Sequence, residues 1–212
     1  MITSVAKIEC KDYMKRYSPF IPYVAVLIGM YVFRSAFIAM GAYHAGMLVV
    51  LFFNRNKCQK LTKPQGASLL YLTAPVFASG GIIFYFIWPF IAAGNGIPEK
   101  LHEYGLTQNI WPIFAVYFVL INSAIEEFFW RGYLKDDSIK PNLNDFLFGG
   151  YHSLVLFAFT DPAWTILVLA AVTFAGWLWR FLRARTQSLV LPLLTHFLAD
   201  LTIMWAVHMR VF

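Results

Sequence analysis

Apolar residues in this chain come in long runs, with neither the one-sided spacing of surface helices nor the alternation of half-buried strands. An apolar run of about 20 residues can cross a bilayer as a helix. Seven are legible: Phe20 to Phe33, Phe37 to Phe53, Ala67 to Ala93, Ile110 to Leu134, Leu143 to Phe159, Ala163 to Leu182, and Ser188 to about Val211. Only Arg34 interrupts the first pair. The sixth opens on Asp161-Pro162, a capping side chain followed by proline at the first helical turn. The runs contain no hairpin dipeptides and no ten-residue alternation, so no membrane barrel is expected. There is no internal repeat and no low-complexity segment. The pattern predicts an all-α fold: a polytopic membrane bundle of about seven transmembrane helices, forming a single domain over residues 1–212.

Composition agrees. Of 212 residues, 59% are hydrophobic and 13% charged, against about 25% charged in soluble domains. A chain this short has too much surface for one core to explain the deficit, so most of its solvent is lipid. The net charge of +6 is gathered in clusters. Lys7, Lys11, Lys15 and Arg16 precede the first run, Arg55, Lys57, Lys60 and Lys63 share one loop, and Arg180, Arg183 and Arg185 lie near another. Clusters between apolar runs set membrane orientation; they do not form the continuous basic surface that nucleic acid requires, and no nucleic-acid partner is expected. The clusters place the N-terminus and the basic loops inside, the loop at 94–107 and the C-terminus outside. In the connection at 135–145, Lys135, Asp136, Asp137, Lys140 and Asp145 nearly cancel. Cys10 and Cys58 have no metal or redox spacing and are expected to be free thiols. The N-terminus is too polar and mixed for a cleaved signal peptide. Trp88, Trp111, Trp164 and Trp205 read as interfacial anchors. His44, His102 and His208 read as solvated residues in or near loops or ends, and Arg34 as a residue near a helix end or paired inside the bundle.

The candidate chemistry lies in the acidic residues that are not in loops. Glu126, Glu127 and Asp200 share apolar segments with Arg131, His152 and His196. Ionisable groups there are costly and mark sites, relays or paired locks. Counting about 1.5 Å per residue, Glu126, His152 and His196 all fall roughly 12–14 Å from the inner edge. Glu127 and Arg131 are spaced i,i+4 with the carboxylate first, the better order for a helical ion pair. Glu126 is rotated about 100° away from that pair. Without such a partner it is a candidate general base. His196 and Asp200 share a face at the same spacing, as do Phe148 and His152.

Glu126-Glu127-Phe-Phe-Trp-Arg131, Phe148-Gly-Gly-Tyr-His152 and His196-Phe-Leu-Ala-Asp200 read EExxxR, FxxxH and HxxxD. In that order they resemble the CPBP family of intramembrane proteases, also called the ABI or CAAX-protease family. The resemblance covers about Ile110 to Val211, so residues 110–212 would be a catalytic core and residues 1–109 helices without motifs. Gly176 and the Arg-Thr-Gln-Ser turn before the seventh run also look like the family. Eukaryotic members cleave the last three residues from prenylated CAAX proteins; bacterial members process peptides or give immunity to bacteriocins. The resemblance implies a hydrolase in which Glu126 activates water and His152 helps hold and polarise it. Glu127 and Arg131 would support them, and His196 and Asp200 would stabilise the oxyanion. The prenyl endopeptidases have asparagine where this chain has Asp200. An amide can donate to an oxyanion, whereas an ionised aspartate cannot; Asp200 would instead orient His196 as the donor.

No cofactor is expected to be required. The alternative is a divalent metal such as zinc on Glu126, His152 and His196, although there is no HExxH on one helix. The expected function is cleavage of a membrane-associated protein or peptide near its C-terminus or membrane anchor. The expected setting is the bilayer of a bacterial inner membrane, with the cavity toward the cytosol. The alternatives are a catalytically inactive scaffold or immunity protein of the same fold and a proton-coupled transporter, the latter disfavoured by the lack of repeat symmetry.

Overall fold

The computed structural model describes residues 13–92 and 96–212. Lys7, Cys10, Lys11, Ala93, Gly94 and Asn95, named above, lie outside the described residues. The described residues are helical, with no strand among them. Helix α1 is composite: residues 13–17, then Ser18–Phe20, Ile21–Val26 and the π-helical Leu27–Val32. Next come α2 (Ala36–Phe53), α3 (Leu69–Ala92) and the short α4 (Ile97–Glu103). Helix α5 runs from Trp111 to Tyr133 with π-helical stretches at Phe118–Asn122 and Glu127–Tyr133. Then come α6 (Leu143–Leu156), α7 (Pro162–Thr186) and α8 (Val190–Val211).

Each apolar run thus coincides with a helix to within a few residues. Five of them, α2, α3, α5, α7 and α8, are long and apolar enough to cross a membrane. The other two of the expected seven are helical, but α6 is short and α1 is broken into short stretches. Helix α6 has 14 residues, about 21 Å at 1.5 Å per residue, against roughly 30 Å of bilayer core. In α1 no regular stretch after Tyr17 exceeds six residues. Arg34 marks the break between α1 and α2, with φ at 48° in the left-handed region, and is exposed. Ser35 Oγ caps α2 by accepting from Ile38 N, and Asp161 Oδ1 caps α7 by accepting from Ala163 N and Trp164 N.

Small residues let the helices meet closely, as packing without a hydrophobic drive between them demands. A Cβ on Gly29 would lie 2.2 Å from Ala39 Cα, and one on Gly81 would lie 2.1 Å from the Thr202 carbonyl carbon. The first contact closes α1 on α2, the second α3 on α8. Arg210 reinforces the latter, donating from Nε to Tyr85 O at 3.0 Å with its guanidinium 3.7 Å over the Tyr85 ring.

The basic loops meet at one end of the bundle. Gln59 N donates to Gly132 O, Gln65 N to Thr186 O, and Ser188 Oγ to Thr62 O. Two members of the arginine cluster are buried there. Arg180, 2% exposed, donates from Nε to Asp145 Oδ1 at 2.9 Å and from Nη2 to Asp145 Oδ2 at 2.7 Å. It also donates to the Ser138 and Lys140 carbonyls. Arg183 reaches Asp137 Oδ1 and Asp136 O. The near-neutral connection at 135–145 is therefore pinned by two charges that composition alone assigns to orientation. The Ser138 N–H, first of all, together with Asn142 and both arginines, holds the Asp136 carboxyl below its usual value.

Not all peripheral expectations fit. Trp205 is exposed, but Trp88 and Trp111 are buried, against Phe84 and against Phe114 and Phe212. Trp111 packs across the bundle onto Phe212, whereas the Trp88 ring meets Phe84 on its own helix. The loop at 94–107 contains α4, so it is partly a folded element.

Arg180→Ala would leave Asp145 buried without a cation. Such a change is expected to cost about 3–5 kcal/mol, read as a lowered melting temperature in detergent; the double variant with Asp145→Asn should recover part of it. An unchanged melting temperature for Arg180→Ala would refute this account of the loop.

Candidate active site

Helix α5 carries three of the ionisable residues, and its second widened π-helical stretch begins at Glu127. Such bulges recur at functional sites because they re-aim side chains. Despite the wider turn, Glu127 and Arg131 still meet: Arg131 Nη1 donates to Glu127 Oε1 at 3.0 Å. Both are buried. Arg131 Nη2 donates to Gly176 O at 3.1 Å, and its guanidinium lies 4.1 Å over the Phe148 ring. A Cβ at Gly176 would fall 2.8 Å from Phe148 Cδ1 and 3.2 Å from Arg131 Nη2. Only glycine leaves that carbonyl open to the arginine.

Helix α8 brings His196 to the same carboxylate. His196 Nδ1 is 2.8 Å from Glu127 Oε1. That oxygen also accepts from Arg131, which can only donate, so Nδ1 is the donor to it as well. The other ring nitrogen, Nε2, lies 3.6 Å from Glu126 Oε2 and 3.6 Å from Asp200 Oδ1. His196 is thus oriented by Glu127, and Asp200 stands at the opposite nitrogen. The ring stacks on Trp179 with centroids 4.0 Å apart.

Glu126 has no arginine. Its Oε1 accepts from the Tyr151 hydroxyl. Its Oε2 is buried and accepts no hydrogen bond among the described residues. Tyr151 is held by α6 and flanked by Trp130, stacked at 6.2 Å, and by Phe148. Gly149 and Gly150 seat α6: a Cβ on the first would meet Thr173 Oγ1 at 2.1 Å, and one on the second would meet Tyr23 Oη at 2.2 Å.

The structure brings Glu126, Glu127, Arg131, His196 and Asp200 into one cluster. His152 is a neighbour of that cluster and not a bonded member of it. Its Nδ1 points to Phe148 O at 2.8 Å, and its ring contacts Phe148, which in turn contacts His196. No hydrogen bond or ion pair among the described residues joins it to Glu126. Nor do three His, Cys, Asp or Glu side chains among the described residues, Glu126, His152 and His196 included, form a group that could hold a metal ion.

Four residues of the cluster escape sequence reasoning. Tyr151 reaches Glu126, although its neighbour His152 draws attention first. Asn122 Nδ2 donates to Asp200 Oδ2 at 3.2 Å, and its spacing of four before Glu126 is a signal that could have found it. Tyr43 donates to Asn122 Oδ1. His44 is a correction. Expected to be solvated near a loop or end, it is 2% exposed and sits inside α2, with Nε2 3.2 Å from Asn122 Oδ1 and Nδ1 2.9 Å from the Tyr117 hydroxyl. Its position midway along an apolar run was the available signal.

Residues 107–202 match the family model described as type II CAAX prenyl endopeptidase Rce1-like. Neither the curated proteins nor the solved structures yield a match to the chain. The matched stretch contains Glu126, Glu127, Arg131, His152, His196 and Asp200, with every one of the three motifs. Over residues 107–202, therefore, the chain is similar to Rce1-like domains, consistent with the CPBP, or CAAX-protease, family.

Proposed function

We propose that this protein is an intramembrane endopeptidase that hydrolyses a peptide bond near the C-terminus or membrane anchor of a membrane-associated protein or peptide, with water activated by Glu126. One observation carries the reading. Glu126 Oε1 is occupied by Tyr151, while its buried Oε2 accepts no hydrogen bond among the described residues and faces His196 Nε2 at 3.6 Å. A carboxylate so divided has one oxygen fixed and one available for a water proton.

Glu126 takes that proton as the water oxygen attacks the scissile carbonyl carbon, then passes it to the leaving amine. His196 holds one ring proton against Glu127. To serve the oxyanion it must carry a second on Nε2, the nitrogen that the Asp200 carboxyl faces at 3.6 Å. This gives Asp200 a role that does not require it to donate. His152, donating from Nδ1 to Phe148 O, has a bare Nε2 that can accept from the attacking water. Glu127 and Arg131 keep His196 in place. No step needs a metal. The basic end, with Arg55, Lys57, Lys60, Lys63 and Arg185, is read as cytosolic, so substrate arrives from that leaflet.

Glu126→Gln should lower kcat by about 10²–10⁴-fold on a prenylated CAAX peptide or a membrane-anchored reporter in proteoliposomes; undiminished turnover would sink the mechanism. Chelator treatment should leave the rate unchanged. If it abolishes activity and zinc restores it, the chemistry belongs to a metal. Tyr151→Phe keeps the ring and removes the donor to Glu126. It should lower kcat by about 10-fold or more with KM unchanged, and wild-type kcat would remove Tyr151 from the mechanism.

A further inference from the structure

Behind Asp200 stands a buried polar chain that none of the three motifs contains. Asn122 is 1% exposed and His44 is 2% exposed. Asn122 Oδ1 faces two groups, the Tyr43 hydroxyl and His44 Nε2, and its Nδ2 faces Asp200 Oδ2. The direction of each bond follows. A carbonyl oxygen opposite Nε2 requires a proton on Nε2. The neutral ring then has a lone pair on Nδ1, so the Tyr117 hydroxyl donates to it. Every bond points the same way, from Tyr117 to His44 to Asn122 to Asp200, with Tyr43 as a second donor at Oδ1. Aligned bonds of this kind reinforce one another. A flipped amide would set its NH2 group against two donors and its oxygen against a carboxylate, so only one orientation fits. Apolar residues could fill the same space without burying polar atoms in a bilayer, and among the described residues the hydrogen bonds of the chain lead to Asp200.

We infer that Asn122 is a positioning residue of the hydrolytic site: fixed in one amide orientation by Tyr43 and His44, it occupies Asp200 Oδ2 and leaves Oδ1 turned to His196 Nε2. The inference rests on the endopeptidase reading above. It makes α2 part of the site, although α2 lies outside residues 107–202 and carries no motif.

The test uses the full chain in proteoliposomes with the same reporter peptide. Asn122→Leu, of similar shape but without hydrogen bonds, should lower kcat by about 10–100-fold, with KM and melting temperature near those of the unaltered protein. Asn122→Asp, placing like charges together, should lower it at least as far. Tyr43→Phe removes a single oxygen and His44→Phe two ring nitrogens; each should lower kcat by about 2–10-fold. These two report even if Asn122→Leu fails to fold. Wild-type kcat in both, or a loss no larger than the loss of folded protein, overturns the inference. Glu126→Gln run alongside separates the two readings. If it stays active, the endopeptidase reading fails; if it is inactive while Tyr43→Phe and His44→Phe turn over fully, the inference alone fails.

Discussion

Oε1 of Glu127 accepts from Arg131 on its own helix and from His196 on α8. Through Arg131 the same oxygen reaches Gly176 on α7. Three helices are therefore tied through one buried carboxylate. Two donors on one oxygen give the buried carboxylate the partners that a bilayer interior demands of such a group, while its Oε2 accepts no hydrogen bond among the described residues. The arrangement also fixes the imidazole by one nitrogen, so that its other nitrogen stands between Glu126 and Asp200. Separate supports for the arginine and the histidine would not couple their positions in this way.

The remaining framework follows from what that knot needs around it. Arg131 must reach a backbone carbonyl across a helix interface, and this requires a bare Cα at Gly176 with Phe148 close by. Phe148 in turn must come near α7, which places Gly149 and Gly150 where α6 meets Thr173 and Tyr23. The glycines of the second motif thus serve helix approach, while its tyrosine serves the carboxylate. At the basic end Arg180 and Arg183 hold the connection between α5 and α6, and so fix where α6 starts relative to Glu126.

Sequence legibility was uneven for physical reasons. Helix positions were readable, because lipid imposes long apolar runs and polar breaks between them. Whether each helix spans was less readable: α1 and α6 are interrupted or short, and apolarity does not reveal that. The Glu127–Arg131 pair was readable from local spacing. The Glu127–His196 bond was not, since it joins residues 69 apart and depends on which face each helix turns inward. His152 was assigned to Glu126 by motif, yet the neighbouring tyrosine occupies the carboxylate, one residue being enough to change direction on a helix. His44 was misplaced because its partners, Asn122 and Tyr117, are neutral groups that leave no charge pattern to notice.

The brevity of α6 has a consequence for the surrounding lipid. Leu143, Phe146 and Phe157 show apolar side chains at the surface of this segment, yet its 14 helical residues cover only about two thirds of a bilayer core. Acyl chains beside so short an apolar segment would have to compress or tilt to avoid wetting their ends, the usual response to hydrophobic mismatch. The same helix holds Tyr151, the donor to Glu126. On the proposed reading, a thinned bilayer there would shorten the distance over which water must leave bulk to reach that carboxylate.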